Sequence, residues 1–334
     1  MTAGVSSAPS RAAGVRGLAA FGHFALRLGT GNAGDVTLLG EDFDGGNIHA
    51  EVISELSAGL HFATKRLGPP KYEEFGLPVG VAMSQELFGW VAGSWGAQPG
   101  KRDGAVLTLD HNLNIKTEAA FSGALITETT IPALDASSKD AGYLTVRFQP
   151  EQIDISAGGG KLSLAMSKQK LWRTSNFRLE IDGLDCTRVS KIDSFTVKRE
   201  VVPATPPSPT TRRAARRPAD PRTVVAPAGV GVSLSAGRVE FPNLVVTLSE
   251  VSAQTWFDWH ESFVVNGNNS DGFERSGSLT FLSADLKKEL SRIDLHHLGI
   301  VRLAPVKGQA SQVARVIAEL YCEEMLLSPV GGSS

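Results

Sequence analysis

One order of motifs runs twice along this chain, so an acceptable fold must build the same unit two times. In the first half Tyr72-Glu73-Glu74-Phe75 leads into a strand over 77–83, and Ser84-Gln85-Glu86 opens a helix carrying Leu87-Phe88-Gly89-Trp90. In the second half Val239-Glu240-Phe241-Pro242 leads into Leu244-Val245-Val246-Thr247-Leu248, and Ser252-Ala253-Gln254 opens a helix carrying Trp256-Phe257-Asp258-Trp259. Lys101-Arg102-Asp103-Gly104 and Arg275-Ser276-Gly277 each read as a turn feeding an alternating strand. Upstream, Phe24-Ala25-Leu26-Arg27-Leu28 answers Phe177-Arg178-Leu179-Glu180-Ile181, and His49-Ala50-Glu51-Val52-Ile53 answers Ser194-Phe195-Thr196-Val197-Lys198. Downstream, Ile131-Pro132-Ala133-Leu134 answers Leu303-Ala304-Pro305-Val306, each ahead of a closing strand.

A length of 334 residues suits two such units at the usual size of roughly 150 residues per domain. The expected division is an N-terminal arm over 1–20, a first module over 21–156, a linker over 157–170 containing Gly158-Gly159-Gly160, and a second module over 171–328. With 35 glycines, 17 prolines and β-branched runs, each module reads as strands and turns around a single helix. Leu87, Trp90, Val91 and Trp95 share one face of the first helix, as do Trp256, Trp259 and Phe263 on the second; both stripes are expected to pack on a sheet rather than form a ligand cage. Ser84 and Ser252 are the expected N-caps.

The halves differ most at 203–228, which holds seven prolines and five arginines against Asp220 as the sole acid. Such a stretch favours an extended excursion over a packed element. Its Arg212, Arg213, Arg216 and Arg217 suit subunit contact, phosphate binding or a solubilising loop. A shorter loop over 56–70, with Lys65-Arg66 and Gly68-Pro69-Pro70, is its expected counterpart in the first half.

Chemistry finds little local support. The net charge of −2 gives no global pull toward nucleic acid or anionic lipid, and two cysteines are too few for a disulfide framework. The seven histidines form no metal-ligand spacing; His296-His297, with Asp294 close by, is the one adjacent pair, expected on opposite faces of a strand. There is no Gly-x-Ser-x-Gly elbow, and Gly29-Thr30-Gly31-Asn32-Ala33-Gly34 has the spacing of a dinucleotide fingerprint without a following helix. Asn268-Asn269-Ser270 has the form of a glycosylation sequon but reads as a polar loop. For an enzyme, the first suspects are Asp154, Asp182 and Asp185 near the joint, or His296 and His297. No apolar run reaches the ~20 residues of a membrane span, and the first twenty residues lack a secretory core.

The order of strand, helix with Trp at the end of its second turn, basic-Asp-Gly hairpin and alternating strand resembles the tail tube proteins of contractile phages and related injection machines. The likeness runs over about 20–155, through the Val52 strand, Lys65-Arg66-Leu67-Gly68, Tyr72-Glu73, the 87–90 helix and Lys101-Arg102-Asp103-Gly104. The second half is similar but looser, with Trp259 and Arg275-Ser276-Gly277 in place and the Pro/Arg-rich insertion as a departure. The resemblance implies a mainly β protein of two tandem antiparallel β-barrels or sandwiches, each with one flanking α-helix. It implies a structural subunit of a ring or hollow tube, not an enzyme, with no cofactor and no metal.

Its implied partners are further copies of itself, as a trimer with pseudo-sixfold symmetry or a hexamer, and neighbouring tube or baseplate proteins. A tape-measure protein, DNA or an effector would occupy the lumen, and no membrane is involved. The implied setting is a virion tail or injection particle assembled in the bacterial cytoplasm; a tube-end adaptor, an initiator ring and a carrier ring for a secreted effector are the alternatives. Lys65, Arg66, Lys101, Arg102, Asp103, Arg212, Arg213, Arg216 and Arg217 are the expected subunit contacts.

Overall fold

Alternation of apolar and polar residues turns most of this chain into antiparallel strands, because a period of two sends one row to the core and the next toward solvent. In Leu144–Gln149, for instance, Leu144, Val146 and Phe148 are buried and the residues between them half-buried. The computed structural model describes residues 22–29, 36–56, 61–81, 83–162, 172–204, 233–306 and 314–329. The N-terminal arm and most of the Pro/Arg-rich stretch, with Arg212, Arg213, Arg216 and Arg217, lie outside these residues.

The first half contains β1 (His23–Leu28), β2 (Val36–Gly40), β3 (Asp44–Gly45), β4 (Ile48–Glu55), β5 (Thr64–Tyr72), β6 (Phe75–Val79), α1 (Gln85–Trp95), β7 (Arg102–Leu109), β8 (Ile115–Ile131), β9 (Leu134–Asp135), β10 (Leu144–Gln149) and β11 (Gln152–Ala157). The second contains β12 (Phe177–Ile181), β13 (Val189–Ile192), β14 (Phe195–Pro203), β15 (Leu234–Glu240), β16 (Leu244–Ser249), α2 (Gln254–His260), β17 (Arg275–Leu282), β18 (Glu289–Pro305) and β19 (Arg315–Pro329).

The sheet of the first half runs β1-β7-β8-β10-β6-β3 with β2 outside β1, and that of the second runs β12-β17-β18-β19-β16-β13. The agreement extends to register. Phe24 faces Thr108 as Phe177 faces Phe281, and Leu77 faces Val146 as Val246 faces Ala318. The long strands β8 and β18 each bulge in front of the closing strand, at Thr127 and at Val301.

Gly104 and Gly277 show why the short basic motifs end in glycine. Both are paired inside β7 and β17, where an added Cβ would lie 2.2 Å from the Arg27 carbonyl oxygen and 2.5 Å from that of Glu180. The motifs therefore begin strands rather than turns, and the glycine admits the neighbouring backbone. Two other expectations are corrected. The strand expected over 77–83 is Phe75–Val79, and the loop expected over 56–70 becomes, from Thr64 onward, strand β5. Pro69 and Pro70 are tolerated because β5 is an outer strand that pairs only with β4 among the described residues.

The helices carry the expected stripes. Leu87, Trp90, Val91 and Trp95 are buried on α1, and Trp256, Trp259 and Phe263 on α2 and the π-helical turn Glu261–Val265 that prolongs it. Trp90 meets Phe148 at 5.2 Å between ring centroids, above the stacked Phe75–Phe148 pair. Ser84 Oγ accepts from the Leu87 N–H and caps α1. Ser252 does not cap α2: the N-cap is Ala253, and Ser252 Oγ donates to the Ser249 carbonyl instead.

The halves are joined by more than the glycine run. Strand β14 pairs with β8, β9 pairs with β13, and α1 touches β19. One apolar cluster runs from Phe24 and Phe75 through Trp95 and Phe195 to Leu320 and Met325. Gly104→Ala should destabilise the chain by about 1–3 kcal/mol, and Gly277→Ala by a similar amount. Urea unfolding measures both; an unchanged midpoint for Gly104→Ala would remove the close approach as a constraint.

Candidate assembly surface

The paired strands β14 and β15 lie across the first half and form a joint with it through β8. Phe195 faces Ile131, Thr196 faces Thr130, Val197 faces Thr129 and Lys198 faces Glu128. Phe195 and Val197 point inward and are buried. Between the strands the Thr130 and Thr196 hydroxyls meet at 2.9 Å, Ser194 Oγ donates to the Ile131 carbonyl at 2.8 Å, and Lys198 Nζ lies 3.6 Å from Glu128 Oε1.

Arg199 clamps this joint. Its side chain is buried; Nε donates to the Ser94 carbonyl at 2.7 Å, Nη1 to the Gly237 carbonyl at 2.7 Å, and Nη2 to the Gly96 carbonyl. Ser94 and Gly96 end α1, where helix carbonyls lack partners and the helix dipole favours a cation. Burial lowers the affinity of this guanidinium for its proton, yet an arginine stays charged. Arg199→Met keeps the aliphatic bulk but strands the carbonyls, which should cost about 2–4 kcal/mol and fray the end of α1. Denaturant unfolding and amide exchange at residues 93–96 test this; normal protection there would contradict it.

Lys101 reinforces the same joint. Its Nζ meets Glu151 Oε1 at 2.6 Å, and that oxygen also accepts from the Leu234 N–H at 2.6 Å. Burial raises the Glu151 pKa, but Lys101, Leu234 and Ser233 outweigh it and hold the carboxyl below its ordinary value. Asp103 Oδ1 accepts from the Gly123 N–H at 2.8 Å, and Arg102 Nη1 donates to the Lys101 carbonyl at 3.2 Å. Lys101 and Asp103 therefore serve contacts within the chain. Lys65 and Arg66 sit on β5, in an exposed hairpin with β4, where Arg66 pairs with Glu55.

That hairpin and the outer side of α2 carry apolar surface that sequence reasoning did not single out. Ile48, Val52, Ile53 and Leu67 are exposed on β4–β5, and Phe257, Val264 and Val265 on α2 and its π-helical turn. No local signal marks this surface: only in the fold does the hairpin lack a buried row, every residue of β4 except Ala50 being exposed.

The residues weighed for chemistry are scattered. Asp185 accepts from Thr187, the Asp182 carbonyl accepts from Arg275, and Asp154 accepts from Gln152. Burial pushes both thiols up to about 11, Cys186 and Cys322 alike, which keeps them protonated and weakly nucleophilic. Among the described residues, the group that comes nearest to a metal-ligand set is Glu274, His297 and Glu323, whose ligand atoms lie within 4.8 Å of one another. Both Glu274 oxygens are already engaged, one by His297 Nδ1 at 2.8 Å and the other by the Tyr321 hydroxyl at 2.7 Å. Asp294 pairs with Arg292 and Ser328 rather than with the histidines.

His297 also departs from the extended strand expected for it. Its φ is 55°, in the bulge where β8 has Gly123 at φ 61°. The Glu274 hydrogen bond raises the His297 pKa above its ordinary value. The ion pair therefore stabilises fully below the unfolded pKa near ~6.5 and fades as pH rises through the higher folded value. His297→Gly removes the left-handed strain and the pair together. Its Tm relative to the parent chain should be higher at pH 8 than at pH 5.5; a pH-independent difference would contradict this.

No helix among the described residues is long and apolar enough to cross a membrane. No protein-family model matches the sequence, and neither does any curated protein sequence. Among solved structures, the chain is similar to the sheath–tube complex of an extracellular contractile injection system, PVC, in the extended state. The identity is 20%, with 40% of this chain and 88% of that chain covered and a TM-score of 0.34. It is similar to the tube-terminating cap of the anti-feeding prophage at 18% identity, over 40% of this chain and 88% of that chain, with a TM-score of 0.34. It is also similar to Hcp1 from Flavobacterium johnsoniae at 12% identity, over 47% of this chain and 95% of that chain, with a TM-score of 0.25.

Proposed function

We propose that this protein is a structural subunit that assembles into a ring or hollow tube of a phage tail or contractile injection apparatus, each chain supplying two tandem tube-like modules, 21–156 and 171–328. The observation that carries the reading is the common strand order of the two sheets, β1-β7-β8-β10-β6-β3 and β12-β17-β18-β19-β16-β13, with matching register and bulges. Two similar but non-identical units joined head to tail have the heterologous contact from which rings are built. The sequence resemblance to tail tube proteins supports the same role, and such a subunit needs no cofactor.

Subunit contact falls to exposed surface, including Lys65 and Arg66 on β5 and, outside the described residues, Arg212, Arg213, Arg216 and Arg217. Further copies, and tube or baseplate proteins above and below, are the partners; the lumen is the space for tape-measure protein, DNA or effector.

Cryo-electron microscopy of the purified chain, with native mass for stoichiometry, is the test. Three chains enclosing six modules and stacking into a tube are expected for a shaft subunit. Six chains in two layers would assign the protein to an adaptor or initiator ring, and discrete rings holding cargo to a carrier. A chain that stays monomeric even with its neighbouring proteins present would overturn the assembly reading.

A further inference from the structure

The β4–β5 and β14–β15 hairpins occupy equivalent places but meet different fates, and the difference points to an interface. Each bulges at the same point of its ladder: the register jumps between Arg199 and Val201 in β14, and between Ala50 and Val52 in β4. Just before the jump, Lys198 faces Glu240 and His49 faces Lys71, which makes His49 the counterpart of Lys198, not of Ser194 as the sequence order has it, and Ile48 that of Val197. The glycines inside the bulges, Gly237 and Gly68, coincide as well. Yet β14 is sandwiched between β15 and β8, whereas β4 pairs only with β5 among the described residues. Val197 is 3% exposed and Ile48 is 42% exposed.

The receiving surface is doubled in the same way. Thr129 faces Val146 of β10 as Leu303 faces Ala318 of β19, so β18 from Arg302 to Pro305 corresponds to the segment of β8 that accepts β14. Its ladder with β17 ends at Leu298, and among the described residues no strand covers the other edge beyond that point. The helix beside it is bare where α1 is covered: Phe88 and Trp95 are buried, while Phe257 and Val264, at the matching places on α2 and its π-helical turn, are 39% and 44% exposed.

We infer that the β4–β5 hairpin of one chain adds to the Arg302–Pro305 edge of β18 in a second copy and lies over α2 there, as β14–β15 adds to β8 and lies over α1 within one chain. This deepens the assembly reading and rests on it. The hairpin offers a single edge for the purpose, because Pro69 and Pro70 on β5 lack the N–H groups that further pairing needs. The register carried over from the internal joint sets Ile48 opposite Leu303 and His49 opposite Arg302.

Arg302 has no ion pair among the described residues, and Glu73, 3.7 Å from His49, brings the acid that Glu128 supplies to Lys198 in the internal joint. Ala50 stands where Arg199 would be, while Phe263 and Val265 stand where that arginine meets Ser94 and Gly96. The contact between copies is therefore apolar where the internal one is a cationic clamp. Because hairpin and edge lie on different halves, it is heterologous and propagates from copy to copy.

Cysteine pairing in the full chain tests the register. Val197→Cys with Thr129→Cys, an observed pair, should close within one chain and serves as the control. Under the same oxidation, Ile48→Cys with Leu303→Cys should give a ladder of disulfide-linked multimers, and an equal mixture of the two single variants should give dimers only. Rings that persist by microscopy without this bond, while the control closes, would overturn the inference and leave the assembly reading standing. Dimers from Ile48→Cys alone would overturn it too, since they join hairpin to hairpin. Absence of both assembly and bond, with the neighbouring proteins present, would overturn both readings. Ile48→Asp with Val52→Asp, at positions exposed in the monomer, should leave the fold intact and weaken association by roughly tenfold or more in sedimentation; unchanged association would count against the interface.

Discussion

The pairing of β14 with β8, locked by Arg199 on the end of α1, makes one body out of two halves. A guanidinium removed from water needs several acceptors, and the last carbonyls of a helix are among the few groups that must otherwise go without donors. Each defect resolves the other. Around that clamp the apolar rows close: Phe195 and Val197 complete the cover of β8, α1 is held between β8, β14 and β19, and one cluster of side chains spans both halves. A glycine-linked pair of independent units would need neither the arginine nor the shared core.

Much of this was legible in the residues. The twofold order of motifs, the opening strands at Phe24 and Phe177, the two helices and the burial of their tryptophans follow from periodicity, which burial rewards directly. The failures share a cause, which is that local chemistry was read where tertiary position decided. Pro69-Pro70 reads as a loop until β5 is known to be an outer strand. Gly104 reads as a turn until the Arg27 carbonyl is known to lie against it. Ser252 is a good cap in isolation, but the helix starts one residue later and its hydroxyl turns back to Ser249.

The joint itself was hardly legible at all. Nothing about Arg199 in its local sequence, Lys-Arg-Glu, separates it from a solvated strand residue; its partners lie 38, 103 and 105 positions away. The charged residues that drew notice instead, Lys101 and Asp103 among them, spend their charge and hydrogen bonds inside the chain. The exposed apolar residues of β4–β5 were visible as residues but not as surface, since an unburied row is defined only by what fails to cover it.

The matched bulges at Thr127 and Val301 carry a geometrical consequence. A bulge bends its strand and tightens the twist, so two long strands that bulge at the same level turn through their sheets in the same way. Units of unequal bend, set in alternation, would leave a gap or a clash that grows with each addition. Equal bends would let each step of the proposed circular array repeat the last, and this chain carries a bulge at the matching level in both of its longest strands.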